Sequence, residues 1–372
     1  MLNRKAQVEI TFNWVYILIA GAVILLFFVG IAVKEKASAQ QSLGQDLVNT
    51  MDSIFTGAGV SEKTKNFIDI GGLAEYTLYF NCQDGITQYG LKDTSARSEN
   101  NIDAIFAPSE LKAPQLITWS LPYLLPYKVM DFLYISSSNT RYYLYSNNQK
   151  FVNEFMNATA GFNRDYLLTP EQYNQIDPQK NFHTRIIDFT GQLIKQNAPL
   201  PSKLRSLDDS AISGLVIEEN QAKEKKVTYY QKQGLVWKKQ NLKPLSIISL
   251  SNERDAALYA AIFAANDQMY QCTMKKAFKR LGYVTSVYQG KTQSITSFYQ
   301  THPELQFTKS CLSYYKDSSP NIQTSIESLH NTIPTCLQDP TFSLCQAMLD
   351  GASGIQIANT YLAEQGDCVP LY

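Results

Sequence analysis

Residues 10–33 carry no charged side chain, a run of 24 residues between Glu9 and Lys34. As a helix rising about 1.5 Å per residue, the run reaches roughly 36 Å, enough to cross a hydrocarbon layer of about 30 Å with some tilt. Its middle, from Ile17 to Phe28, is apolar throughout, and Trp14 and Tyr16 stand at one end, as interfacial aromatics do. A buried core helix is seldom this long without a charge. No second segment approaches this length, so the chain is expected to cross the lipid bilayer once. Arg4 and Lys5 precede the run, and Lys34 and Lys36 follow it. We expect the N-terminus in the cytoplasm and the 339 residues after the run outside the cell membrane. A secretory signal peptide fits less well. The apolar run is too long for one, and Lys34-Glu35-Lys36 stands where a small-residue cleavage site would be.

Charge narrows the partners further. Lysine plus arginine and aspartate plus glutamate both total 33 of 372 residues, so the net charge is zero. A global electrostatic affinity for nucleic acid is excluded, and nucleic acid is not an expected partner. Charged residues make up 18%, below the roughly 25% of soluble domains. The hydrophobic fraction of 44% is enough for a substantial core.

Arg4-Lys5-Ala6-Gln7-Val8-Glu9, followed at once by the apolar run, resembles the class III signal of archaeal type IV pilin-like proteins. The resemblance covers roughly the first 35 residues. It implies a leader at residues 1–6, cut between Ala6 and Gln7 by a prepilin-type peptidase on the cytoplasmic side, with the helix kept on the mature protein. Ala6 stands where glycine is commoner in that family. Glu9 would be the third mature residue, where many pilins carry a glutamate at the fifth.

Beyond the membrane run, Leu43, Leu47, Met51 and Ile54 recur at the spacing of one helical face. Residues 34–56 therefore read as a helical stalk, an amphipathic extension of the membrane helix that ends near Gly57. The whole rod would be about 70 Å long. Such a stripe suits either packing under a head domain or self-association with a second copy.

From residue 60 to 250 the pattern is one of short strands with interspersed helices, a mixed α+β or α/β head. Glu75–Asn81 and Ile86–Leu91 read as a hairpin around Gln83-Asp84-Gly85. Asp131–Ser136 and Arg141–Ser146 read as a second strand pair. Lys150–Met156 reads as a helix, and Thr169-Pro170-Glu171-Gln172 as a helix start. Thr184–Phe189, Gly214–Ile217, Val227–Gln231, Leu235–Lys238 and Leu245–Leu250 are further strand candidates. Pro122 and Pro126 argue for an edge or loop at 121–128. From 251 to 372 the period becomes helical. One helix is expected from an Asn252 cap to about Leu281, stopping at Gly282, another from Asp339-Pro340, and a last one over Ile355–Glu364. No linker marks the boundary near 250, so the two parts are expected to share a core.

The six cysteines are Cys82, Cys272, Cys311, Cys336, Cys345 and Cys368. Their even number suits a disulfide set in an extracytoplasmic compartment, and the sequence does not choose among the 15 pairings. Five lie after residue 251, which makes the helical part the expected stapled region. The absence of a Cys-x-x-Cys pair argues against a zinc or thioredoxin-type site, and no metal site is expected.

No catalytic signature stands out. A Gly-x-Ser-x-Gly elbow, a phosphate loop and a dinucleotide fingerprint are all missing, so no cofactor is expected. His330 with Cys336 is a weak base–nucleophile candidate. Glu218-Glu219, just past a strand, is a weak acid/base or metal candidate, and His183 is a third polar candidate. Lys225, Lys226, Lys238 and Lys239, interleaved with Tyr229, Tyr230 and Trp237, form a lysine and aromatic hairpin within 223–243. It could bind a polyanion, glycan or solute, although lysines on an edge hairpin commonly serve to prevent sheet aggregation. The run Lys275, Lys276, Lys279 and Arg280 reads as cations at a helix C-terminus. Asn157 heads the one glycosylation sequon. The functional expectation is a membrane-anchored, non-enzymatic surface protein of the pilin, minor-pilin or adhesin kind. A tethered binding module using the hairpin is the alternative, and an ectoenzyme is the next.

Overall fold

The computed structural model describes residues 44–46, 48–57, 64–178, 182–220, 224–250, 254–304, 307–339 and 342–372. Ala6, Gln7, the apolar run 10–33, Leu43 and Leu47 lie outside them. Among the described residues no helix is long and apolar enough to cross a membrane.

Residues 44–46 and 48–57 are helical and form α1. Val48, Met51 and Phe55 are buried, and Asn49, Thr50 and Ser53 are exposed. The buried stripe passes through Met51, as expected, but continues to Val48 and Phe55, while Ile54 is only partly covered. Phe55 packs edge-on to Tyr89, with ring centroids 5.0 Å apart, and the Tyr89 hydroxyl donates to Asp52 at 2.5 Å. This apolar face is therefore occupied by the chain's own head. Over residues 48–57 it offers no free stripe for self-association.

Eight strands follow: β1 (Lys65–Asp69), β2 (Leu78–Gln83), β3 (Ile86–Leu91), β4 (Arg97–Asn100), β5 (Ala104–Phe106), β6 (Glu110–Leu111), β7 (Gln115–Leu124) and β8 (Lys128–Ser137). They make two four-stranded sheets, ordered β4-β3-β2-β6 and β1-β7-β8-β5. The hairpin expected around Asp84-Gly85 is β2–β3, with both turn residues at positive φ. Pro122 sits within β7, but β1 covers only Gln115–Trp119, so the missing N–H lies past the neighbour's end.

An α/β layer comes next. Its elements are β9 (Thr140–Tyr145), α2 (Gln149–Ala158), β10 (Asn163–Leu167), α3 (Pro170–Asn174), β11 (His183–Asp188), α4 (Ser202–Arg205), β12 (Ile212–Glu219), β13 (Lys225–Gln233), β14 (Val236–Lys239) and β15 (Leu245–Ile247). The sheet order is β10-β9-β11-β12-β13-β14, with β15 beside β13. β10, β9, β11 and β12 are mutually parallel, and β13 and β14 return antiparallel. Period-2 alternation sends the side chains to two faces. Tyr142, Leu144, Ile187 and Leu215 join Phe151, Val152 and Phe155 of α2 on one. Tyr143, Tyr145, Ile186 and Val216 join Tyr173, Leu204 and Trp237 on the other. The sheet is thus covered on both faces, as parallel sheets require.

The helical part holds α5 (Ala256–Phe263), α6 (Asp267–Thr301), α7 (Thr308–Leu312), α8 (Ile322–Gln338) and α9 (Phe342–Glu364). Three expectations are corrected here. The helix expected over 252–281 is two helices. α5 is capped by Asp255, whose side chain accepts from the Ala257 and Leu258 N–H groups, and α6 is capped by Asn266. The break between them is held by Arg185 of β11. Its buried guanidinium donates to the carbonyls of Ile262 (2.9 Å), Ala264 (2.5 Å) and Ala265 (3.3 Å). Second, α6 does not stop at Gly282 but continues to Thr301, because α8 packs along its far half. Lys275, Lys276, Lys279 and Arg280 therefore lie mid-helix. Lys276 is buried, donating to Thr87 Oγ1 (2.7 Å) and to the carbonyls of Asn100 (2.7 Å) and Asp103 (3.1 Å). Third, the helix expected from Asp339-Pro340 and the last one expected over Ile355–Glu364 are a single helix, α9, running from Phe342 to Glu364. Gly351 lets α9 lie against α8, since a Cβ there would meet the Leu329 nitrogen at 2.8 Å.

All six cysteines are paired: Cys82–Cys272, Cys311–Cys368 and Cys336–Cys345. Two bridges lie within the helical part, and the third ties β2 to α6. One hydrophobic cluster runs from Val48 to Leu371, through the first sheets, one face of the α/β layer and the helices. The fold is mixed α+β, with a parallel α/β layer inside it and bridged helices at the C-terminal end.

Candidate ligand-binding crevice

The strand order places a crevice in the α/β layer. β9 leads into α2 on one face, whereas β11 leads into the Leu193–Leu204 stretch on the other. Between the carboxyl ends of β9 and β11 the chain therefore parts in opposite directions, the topological switch point at which α/β sheets bind ligands. A cavity of about 390 Å³ lies there. It is lined by the apolar Phe151, Phe189, Ile217 and Leu258 and by the polar Ser146, Asn147, Asn148, Lys150, Glu154, Glu219, Lys225 and Asp255.

Each wall has a local cause. Ser146-Asn147-Asn148 ends β9. The Ser146 hydroxyl accepts the Asn148 N–H at 3.1 Å, and the Asn148 side chain caps α2 by accepting from Phe151 N–H at 3.1 Å. Phe151 and Phe189 lie with centroids 4.6 Å apart. Glu154 Oε1 accepts from the Arg254 N–H (2.9 Å) and the Tyr259 hydroxyl (3.2 Å). Burial first, and the Glu154 charge second, raise the Tyr259 phenol well above its usual range. Asp255 is buried, caps α5 and faces Lys225 at 3.4 Å.

Asp188, at the end of β11, stands where many α/β folds keep a reactive carboxylate. Here it is spent on the loop. One oxygen accepts from Thr190 N–H (2.8 Å), Thr190 Oγ1 (2.8 Å) and Gly191 N–H (3.0 Å). The other accepts from Leu193 N–H (2.7 Å) and Ile194 N–H (3.1 Å). A carboxylate so bonded fixes the loop that follows β11 and has little capacity left for chemistry.

The residues singled out from the sequence are scattered. Glu219 lines the crevice; Glu218 beside it does not, and both are exposed. In the β12–β13 register they stand opposite Lys225 and Lys226. His183, at the other end of β11, belongs to a separate groove with Glu110, Lys112 and Asp208, and burial holds its imidazole below the ordinary 6.5. His330 cannot activate Cys336, because that sulfur is bonded to Cys345. The Asn157 side chain is exposed at the end of α2, but the hydroxyl of sequon residue Thr159 is buried and donates to the Phe155 carbonyl at 2.6 Å. Among the described residues no group of three or more His, Cys, Asp or Glu is placed to hold a metal ion.

The lysine and aromatic hairpin is β13–β14, and its aromatics mostly point inward. Trp237 is 0% exposed, with its indole N–H donating to the Tyr173 hydroxyl at 2.8 Å. Tyr229 is buried and donates to the Ala261 carbonyl at 3.0 Å. Tyr230 is half-buried and Lys239 partly covered, whereas Lys238 is exposed. Lys226 pairs with Glu224 at 3.0 Å. The stacking surface expected of Tyr229 and Trp237 is therefore absent: alternation in β13 and β14 turns these rings into the layer's two cores.

The crevice residues Lys150 and Glu154 carry no site signal in the sequence, and Asp255 reads there only as an acid at a helix start. A polar Ser-Asn-Asn between a strand and a helix was the available signal, but its meaning depends on strand order. Comparison with protein-family models, curated proteins and solved structures finds no match.

Proposed function

We propose that the chain is a surface protein anchored by residues 10–33, with its head outside the cell membrane, acting as a non-enzymatic binding module of the pilin-like or adhesin kind. The observation that carries this reading is the pairing of all six cysteines. Such bridges persist in oxidising compartments and are rare in a reducing cytosol. The position of α1 supports it further: residues 48–57, which follow the apolar run in the sequence, form a helix that packs under the head through Val48, Met51 and Phe55, as the helix of pilins does. The crevice supplies a place to bind, and Asp188 and Glu154, both engaged in structure, favour binding over turnover.

The test is protease added to intact cells, with maleimide labelling of the chain before and after reduction. The expected result is digestion of the head without lysis, and six thiols that label only after reduction. Protection until lysis, or free thiols at the outset, would remove the reading. Mass spectrometry of the mature chain beginning at Gln7 would add the pilin-type processing, and an intact Met1 would subtract it while leaving the anchor.

A further inference from the structure

We infer that the head rests on the bilayer that holds its anchor, through a patch of Ile102, Lys279, Arg280, Tyr283 and Val287 that takes anionic lipid headgroups. This rests on the anchored reading proposed above and adds a second contact with the lipid surface.

The patch comes from one helix and the loop that grips it. Between Gln268 and Thr301, α6 holds five cations and no acid. Lys276 turns inward, where the Asn100 and Asp103 carbonyls take its ammonium. Those carbonyls bracket Ile102, so its loop lies against α6 one turn before Lys279 and Arg280. Both of these cations are exposed, and neither pairs with an acid among the described residues. Tyr283 and Val287 continue the face at i+4 spacing from Lys279. Ile102, Tyr283 and Val287 are 70%, 73% and 72% exposed. Exposed apolar side chains beside unpaired cations make an interfacial surface: the apolar tips enter the headgroup boundary while the cations meet phosphates. The nearest acids do not cancel the charge. Asp103 accepts from the Asn100 amide at 2.8 Å, and its charge acts on Lys276. Glu99 accepts from Gln88 at 2.8 Å and, by strand alternation, faces away from the side on which Asn100 lies.

Chain geometry names the occupant. α1 and α6 lie on the same face of the β2–β3 hairpin. Phe55 packs on Phe80 and Tyr89, whereas Cys272 and Lys276 reach Cys82 and Thr87, two residues along the same strands. α1 begins against Ala96, the residue before β4, since a Cβ on Gly44 would meet the Ala96 Cβ at 3.0 Å. From Ala96 to Asn100, where α6 passes β4, is about 13 Å of strand. Residue 33, the end of the apolar run, is 11 residues from Gly44, which limits their separation to about 40 Å. The anchor therefore keeps a lipid surface within reach of the patch. Side chains this exposed stand out from the surface and do not line a pocket, which suits an extended partner over a small anion. A second copy pairing through the same patch would set cations against cations.

The experiment is tryptophan quenching by brominated lipid. The full-length chain is reconstituted into vesicles of phosphatidylcholine, with or without phosphatidylglycerol, whose acyl chains are brominated near the headgroup. The chain has three tryptophans: Trp14 in the apolar run, and Trp119 and Trp237 buried in the head. In the unaltered chain only Trp14 should be quenched. Tyr283→Trp, a change at an exposed residue, should raise the quenched tryptophans from one of three to two of four in vesicles containing phosphatidylglycerol. This added quenching should fall severalfold in phosphatidylcholine alone, and should vanish when Lys279→Glu and Arg280→Glu are combined with Tyr283→Trp. Unchanged thermal unfolding of these variants is the folding control. No added quenching overturns the inference, as does added quenching that is indifferent to phosphatidylglycerol or to the charge reversal; quenching of Trp14 keeps the anchor in each case. An added tryptophan shielded from aqueous acrylamide but not reached by bromine marks a protein contact, a second copy included, and also overturns it. No quenching in the unaltered chain removes the anchor, and this inference with it.

Discussion

The sheet of β9–β15 and the helices α6–α9 reach burial by different routes. The sheet contains none of the six cysteines, yet Ile186, Ile187, Leu215 and Trp237 are fully buried, because packed layers cover both of its faces. The helices bury one stripe each and leave Tyr283 and Val287 of α6 73% and 72% exposed. They carry two bridges of their own and share the third with β2. A two-sided sheet gains its stability from apolar area removed from water. Helices that cover one stripe gain less per residue, and a cross-link that restricts the unfolded chain makes up part of the difference.

Removing bridges should break this contrast most visibly. Cys82→Ser with Cys272→Ser opens a separation of 190 residues and should cost about 5 kcal/mol on the loop-entropy estimate. The check is urea unfolding combined with amide exchange, with protection lost first at α6 and retained in β9, β11 and β12. Equal loss in both regions would show that the bridge does not divide them. In the sheet, Trp237→Ala should cost about 4 kcal/mol, the usual range for emptying a buried indole site. A loss near zero in denaturant melts would mean that the ring lies outside the core.

A pH titration sharpens the same contrast, because Lys276 sits where α6 meets the first sheets. Burial pulls its ammonium from 10.5 down to about 8. Below pH 8 both folded and unfolded chains hold that proton, and stability does not vary through this group. Between about 8 and 10.5 the unfolded chain holds more protons than the folded one, so stability rises with pH, by up to about 3 kcal/mol. Urea midpoints across pH 7–10.5 should show this rise, and Lys276→Met should flatten it. The short bridge comes next. Cys336→Ser with Cys345→Ser opens a separation of only 9 residues and should cost about 2.5 kcal/mol, seen as a lower melting temperature with the sheet's exchange unchanged. The smallest effect belongs to Lys238→Glu. The side chain is exposed, so stability should stay within about 0.5 kcal/mol, in contrast to its buried neighbour Trp237.

Much of the element list was legible in the residues. The Asp84-Gly85 hairpin and the Thr169 capping box follow from turn and capping chemistry, and period-2 alternation marks the strands at Gly214–Ile217 and Val227–Gln231, which the structure extends to 212–219 and 225–233. The single long helix over 252–281 was wrong because its break depends on Arg185, 77 residues from the Ile262 carbonyl it holds. The hairpin at 223–243 misled for a related reason. Alternation says that Tyr229 and Trp237 each face one side of a sheet, but not that both sides are covered. The crevice was legible only as Glu219, since Lys150, Glu154 and Asp255 come together through strand order.

From its residues alone the chain declares an uncharged run of membrane length, an even set of cysteines, a β-rich middle and a helical end. These are local properties, set by composition, hydrophobic period and capping within a few turns of chain. The cysteine partners, the split between α5 and α6, the inward turn of the hairpin aromatics and the crevice at the β9–β11 switch point belong to the tertiary structure. Each depends on contacts between segments tens to hundreds of residues apart, and no local pattern records which distant face a segment will meet.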